Sequence, residues 1–173
     1  MKLYCLPGAC SLTVRIALEW IGQPYEAQNV PRDQLRSEAF LAINPSGCVP
    51  ALVEDDGWVL VENVAIHNYL IDRFPEAGLG GDGSPRARAA VNRWLGYLNS
   101  DVHPAFRPMF APGRFHPDAA QHPALAEAAV GRVRDLLGPI EERLGAAEWL
   151  AGFRSPADAY LFVVLRWAAF KKI

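Results

Sequence analysis

Hydrophobic and polar residues follow changing rhythms along the chain, and each rhythm predicts an element. Lys2 to Leu6 is a short β-rich run stopped by Pro7-Gly8, the pattern of a strand entering a turn. Ser11 to Ile21 places Leu12, Ile16, Ala17, Leu18 and Trp20 at helical spacing and ends at Gly22, a C-terminal cap. Tyr25 to Val30 reads as a second strand, so a βαβ unit closes by Val30. Arg32 to Ile43 is weakly helical and stops at Asn44-Pro45. Two further β-rich runs, Ala51 to Glu54 and Trp58 to Val61, flank Asp55-Asp56-Gly57 and predict a hairpin. A helix from Asn63 to Phe74 follows, with Ile66, Tyr69, Leu70 and Phe74 along one side and Pro75 as its stop. The predicted order is β-α-β-α-β-β-α.

From Gly78 the pattern changes. "GLGGDG" has few apolar residues and reads as a linker, and Ser84-Pro85 opens a helix with a capping hydroxyl and a proline in its first turn. Only helices are expected beyond it. Val91, Trp94, Leu95, Leu98 and Val102 recur at helical steps until Pro104 and Pro108, which should kink or end that helix. Leu125 to Leu144 is a second long helix with an expected bend at Gly138-Pro139. Ser155-Pro156-Ala157-Asp158 is a capping-box variant before "AYLFVVLRWAAF", which is apolar around most of its circumference and must be buried. The organisation expected is an α/β domain over residues 1–75, a linker over 76–83 and an all-α domain over 84–173.

Composition adds exclusions. The net charge is -2 with 51% hydrophobic residues, which gives no electrostatic footprint for nucleic acid or an anionic membrane and points to a small-molecule partner. Cys5, Cys10 and Cys48 form no CxxC and no metal-ligand spacing, so no metal is expected and a reducing, cytoplasmic setting fits. No apolar stretch is long enough for a membrane span or a signal-peptide core.

Three positions in the first domain carry candidate chemistry. Cys10 stands where a strand becomes a helix, beneath free N–H groups and the positive end of the helix dipole, which biases a thiol toward thiolate; a small apolar side chain packed under a turn is the alternative. Val49-Pro50 precedes a strand, and a cis peptide there would present the backbone of Val49 to a ligand. Glu62-Asn63 opens a helix where a carboxylate accepts an amine and free N–H groups bind a carboxylate, or where the pair only caps the helix. The order suits one peptide-like ligand.

These segments, "MKLYCLPGACSLTVRIALEWIG", "NPSGCVPALVEDDGWVLVENVAIHNYLIDRFPE", "RWLGYLNSDVHPAFRPMF" and "PADAYLFVVLRWA", resemble the bacterial glutathione S-transferases, in particular the beta class with its cysteine in the PGACSL turn. The resemblance runs nearly end to end. It implies a thioredoxin-like N-terminal domain that binds glutathione as co-substrate, a helical domain that helps form the site for a small hydrophobic electrophile, and a homodimer. By matching position, Cys10 would lie beside the glutathione sulfur, Val49 before a cis Pro50 would pair with the cysteinyl unit, and Glu62 with the Asn63 amide would hold the γ-glutamyl end. His103 would reach the sulfur from the helical domain, with Ser100 and Asp101 on the turn before it. Alone, His103 could equally be a helix histidine satisfied by a backbone carbonyl.

The chain departs from the family in places. Gly96 replaces an asparagine, Pro104 replaces the lysine after the histidine, and either Arg32 or Arg36 is a candidate for the glycyl carboxylate. The family continues with more helix after "VLRWA", so an exposed apolar face on the last helix is expected. The tryptophans Trp58, Trp94, Trp149 and Trp167 read as core or interface, Asp158 as a cap and Cys48 as an inert loop thiol. The function expected is conjugation of glutathione to a hydrophobic electrophile. Two alternatives are a glutathione-dependent thiol-disulfide oxidoreductase or peroxidase using Cys10, and a non-catalytic module that retains the fold.

Overall fold

The computed structural model describes residues 1–173. Strand β1 (Lys2–Cys5) leads through the Pro7–Cys10 turn into helix α1 (Ser11–Ile21), and strand β2 (Glu26–Asn29) returns parallel to β1. The Ser11 hydroxyl locks this corner, accepting from the Leu6 N–H at 3.0 Å and donating to the Leu6 carbonyl at 3.3 Å. α1 stops where expected: Gly22 takes the left-handed conformation and its N–H reaches the Leu18 carbonyl at 3.0 Å.

The weakly helical stretch after β2 resolves into a 3-10 turn, Arg32–Gln34, and a one-turn helix α2 (Glu38–Leu41) capped by Ser37. With a single buried residue, Phe40, this segment lacks the apolar face a longer helix needs. The hairpin forms as predicted, β3 (Ala51–Val53) pairing antiparallel with β4 (Val59–Val61). The sheet order is β2-β1-β3-β4, and β1 with β3 carry its buried residues Leu3, Cys5, Ala51 and Leu52. Helix α3 (Asn63–Arg73) follows.

The glycine-rich connection is packed rather than loose. Leu79 is buried, and at Gly81, with φ +68°, a Cβ would stand 2.6 Å from the Phe153 ring. Close approach, not flexibility, explains a glycine there. Arg88 ties the two sides together, with Nη2 donating to Asn68 at 3.0 Å and lying 3.1 Å from the Asp72 carboxylate.

Helix α4 (Pro85–Tyr97) is capped by Ser84 and runs into a π-turn, Leu98–Val102, before the short helices α5 (His103–Ala105) and α6 (Arg107–Phe110). Pro104 has no N–H and its ring crowds the carbonyl one turn back, so the ladder widens just ahead of it and the His103 N–H bonds Leu98. Leu98, Val102 and Phe106 remain fully buried across this irregularity. Helix α7 (His122–Ala146) passes uninterrupted through Gly138-Pro139. Helix α8 (Pro156–Lys171) is capped by Asp158, whose carboxylate accepts from the N–H groups of Leu150 and Ser155 and from the Ser155 hydroxyl. Phe162, Leu165 and Phe170 lie exposed on α8, the open apolar face the sequence predicts. No helix is long and apolar enough to cross a membrane.

One cluster of 27 buried residues joins the two halves into a shared core. It runs from Leu3 and Leu52 of the sheet through Val14, Ala17 and Leu18 of α1 to Tyr160, Val163 and Val164 of α8. Replacing the Asp158 carboxylate removes the partners of two part-buried backbone donors, so Asp158→Ala should destabilise the protein by about 1–3 kcal/mol. Chemical denaturation checks this, and an unchanged midpoint would show that water satisfies those donors equally well.

Candidate active site

The turn after β1 places Cys10 at the N-cap of α1, with its backbone already helical. Its sulfur faces a carbonyl: Sγ is 3.5 Å from the Val49 oxygen, the geometry of a thiol donating its proton. The Val49-Pro50 peptide is cis. Its loop is pinned by Asn44, whose amide donates to the Cys48 carbonyl at 2.7 Å while its oxygen accepts from Ser46.

Glu62 occupies the N-cap of α3 at φ 75° and ψ 123°, and its side chain makes no capping bond. A glutamate held in this region carries backbone strain, which the surrounding structure must compensate. Its carboxylate is exposed, whereas Asn63 beside it is buried. The Asn63 oxygen accepts from the Thr13 hydroxyl at 3.0 Å, and its side chain also lies near enough to Cys10 and Tyr160 to favour their ionised forms.

The helical half supplies His103. Its Nδ1 lies 2.8 Å from the Tyr160 hydroxyl, which donates to the Asn99 side-chain oxygen at 3.0 Å. That hydroxyl has one proton and spends it on Asn99, so Nδ1 of His103 carries the hydrogen and Nε2 is left a bare acceptor. The imidazole also packs against Trp167, with ring centroids 4.8 Å apart. Trp167 in turn donates its indole N–H to the Gly8 carbonyl at 2.8 Å, latching α8 onto the turn before Cys10.

Desolvation dominates the electrostatics. Burial pushes the Cys10 thiol up to about 11, opposed by the Asn63 side chain. The bias toward thiolate expected from the helix start is outweighed by burial of the sulfur, although the Asn63 side chain and the Cys10 backbone both favour the ionised form. Burial, with the Arg107 guanidinium acting in the same direction, holds His103 down at about 4. Burial also raises Tyr160, with the neighbouring Cys10 adding to the effect. Near neutral pH the thiol, the imidazole and the phenol are all uncharged.

A cavity of about 310 Å³, lined by Pro7, Gly8, Leu12, Phe110, Val163, Trp167 and Phe170, adjoins these groups through Gly8 and through Trp167, which packs on His103; Cys10, Asn63, His103 and Tyr160 do not themselves line it. Arg32 and Arg166 also reach it, while the Arg36 guanidinium packs near Gly47. Ser100 and Asp101 are placed elsewhere: with Arg93, Gly96 and Pro139 they line a separate cleft of about 460 Å³ on the helical half. Cys48 is exposed in its loop. No group of three or more His, Cys, Asp or Glu side chains is placed to hold a metal ion.

Comparison with known proteins gives this geometry a family. Residues 3–78 match the glutathione S-transferase N-terminal domain. A glutathione S-transferase of Xanthomonas campestris, GST-4.5, is 44% identical over 97% of this chain and 82% of its own. The chain belongs to the glutathione S-transferase family. Solved structures agree: the transferase from Xylella fastidiosa superposes with a TM-score of 0.93 at 42% identity, covering 99% of this chain and 84% of that one. A sphingomonad transferase complexed with glutathione gives 0.87 at 38% identity, over 100% of this chain and 85% of that one. A beta class transferase from Sphingomonas chungbukensis gives 0.86 at 39% identity with the same coverage.

Tyr160, Asn99, Thr13 and Trp167 escape the sequence reading. Trp167 is not only core, because it borders the cavity as well. A tyrosine inside an all-round apolar helix is a usable signal, since its buried hydroxyl needs a polar partner. Proton NMR of the transferase should show the His103 ring titrating near pH 4. A midpoint near the ordinary histidine value of about 6.5 would mean that solvent reaches the ring.

Proposed function

We propose that this transferase catalyses attack of the glutathione sulfur on a hydrophobic electrophile. The observation that carries the reading is the grouping of Cys10, the Val49 backbone, Asn63 and the Tyr160–His103 pair, joined to an apolar cavity through Trp167, which packs on His103. The γ-glutamyl end lies at the start of α3, its amine on the Glu62 carboxylate and its carboxylate on the free N–H groups. The cysteinyl unit pairs with the backbone of Val49. Its sulfur then stands among Cys10, the Asn63 amide and His103, and Arg32 on the cavity wall suits the glycyl carboxylate.

The site works by hydrogen bonding rather than by placing a cation on the sulfur. The cysteinyl N–H takes over the Val49 carbonyl and frees the Cys10 S–H, so that this thiol and the Asn63 side-chain amide are donors that stabilise a thiolate, and the bare Nε2 of His103 accepts the glutathione S–H before ionisation. The sulfur releases its proton to solvent and forms a C–S bond with the electrophile in the cavity. The leaving group departs with the electron pair of the bond it breaks. Ser100 and Asp101 play no part in this pocket within one subunit, and the homodimer of the family is the expected assembly.

Thiol-disulfide exchange at Cys10 is the second reading. It needs the Cys10 thiolate, and a thiol held near 11 is ionised to only about one part in ten thousand at pH 7. Conjugation is therefore favoured. A binding module that keeps the fold without chemistry is the third reading, and it predicts no affinity for glutathione.

Calorimetric titration of the transferase with reduced glutathione, beside Glu62→Ala, tests the site directly. Saturable binding that the substitution weakens about tenfold is expected, since the charge-assisted hydrogen bond between the glutathione amine and the Glu62 carboxylate is lost. Absence of binding by the folded wild type would favour the third reading. Cys10→Ala separates the first two: conjugation should persist at a reduced rate, whereas its abolition together with exchange activity would make Cys10 the nucleophile.

A further inference from the structure

Beneath Asn63 lies a buried polar chain whose other members, Thr13 and His67, have no part in the reaction as described above. Thr13 in the first turn of α1 and His67 in α3 are both 0% exposed, and Asn63 is 4% exposed. His67 follows Asn63 by one helical turn on the same face of α3. The Thr13 hydroxyl sits between them, 3.0 Å from the Asn63 oxygen and 3.0 Å from Nε2 of His67.

Hydrogen counting makes this chain one-directional. Nδ1 of His67 is buried and has no hydrogen-bond partner. A bare ring nitrogen tolerates that position better than an N–H, because buried orphan donors are the rarer and costlier kind. The proton therefore resides on Nε2 and is donated to Thr13. Thr13 has one proton left to give, and it goes to the Asn63 oxygen. The Asn63 NH₂ is then the end left for Cys10 and Tyr160, whose ionised forms the Asn63 side chain favours. The opposite tautomer would reverse every bond and turn an amide oxygen, an acceptor, toward the sulfur.

We propose that His67, acting through Thr13, is a positioning residue that fixes the Asn63 amide with its NH₂ toward the reactive sulfur. Its consequence for bound glutathione rests on the reading given above, but the positioning is measurable without it, because the same amide faces the Cys10 thiol. The other groups acting on that thiol are the Val49 carbonyl, the Cys10 backbone, Cys48, Glu62 and the Tyr160 hydroxyl, and none is replaced by the substitutions below.

The experiment is the rate of Cys10 alkylation by iodoacetamide at pH 9 in the absence of glutathione, followed on the Cys10 peptide by mass spectrometry. Thr13→Val removes the hydroxyl and His67→Leu removes the head of the chain. Each should slow alkylation about tenfold, the effect of raising the thiol by one pH unit. Thr13→Ser, which keeps the hydroxyl, should restore the wild-type rate. In an Asn63→Ala background Thr13→Val should slow alkylation no further, since its effect passes through that amide. Wild-type rates in folded Thr13→Val and His67→Leu, or slowing that adds to that of Asn63→Ala, would overturn the proposal. Should Thr13→Val fail to fold, His67→Leu decides alone. Calorimetry with glutathione on the wild type reports separately on the functional reading, so failure of one is distinguishable from failure of the other.

Discussion

The bond between Thr13 and Asn63 joins the first turn of α1 to the first turn of α3, and the site is built on that junction. Cys10 lies one turn before Thr13, and Glu62 immediately precedes Asn63. The thiol and the exposed carboxylate are thus held by one buried polar contact between two helix starts. Apolar packing around it supplies the stability, through Val14, Ala17 and Leu18 of α1 and Ile66 and Leu70 of α3. The polar contact supplies the register, because a hydroxyl and an amide buried without each other would cost about 1–3 kcal/mol apiece.

Low polarity governs the chemistry that follows. Cys10 and His103 are each displaced toward their uncharged forms, and burial is the first cause in both. Such a site has no fixed cation on the sulfur and must stabilise a thiolate with oriented donors. On the function proposed, orientation then matters more than charge, and Thr13, His67, Tyr160 and Asn99 act by deciding where each proton sits. Trp167 completes the arrangement by holding α8 against the turn that carries Cys10.

Much of this was legible in the residues. The periodicity places α1, the hairpin, α3 and the Ser84 and Ser155 helix starts within a residue or so, because caps and turn residues mark them locally. The segment from Arg32 to Ile43 was harder, since its weak apolar pattern fits either a short helix or turns. The glycines of 78–83 mark a chain break by composition, yet their real reason is a contact with Phe153, far away in sequence. The PGACSL turn, Val49-Pro50 and Glu62-Asn63 identify one wall of the site. The ionisation of the Cys10 thiol was not legible, because the helix-start argument is decided by how deeply the sulfur is buried, which tertiary packing sets. Ser100 and Asp101, which the family resemblance puts on the turn before His103, line a separate cleft on the helical half.

The central claim is that one pocket between the two halves binds glutathione with its sulfur among Cys10, Asn63 and His103. A crystal structure of the protein with reduced glutathione tests it most directly. The account predicts the γ-glutamyl group at Glu62, the cysteinyl backbone on Val49, and the sulfur within hydrogen-bonding distance of the Asn63 nitrogen. Glutathione bound elsewhere, or its sulfur turned away from Asn63 and Cys10, would contradict it.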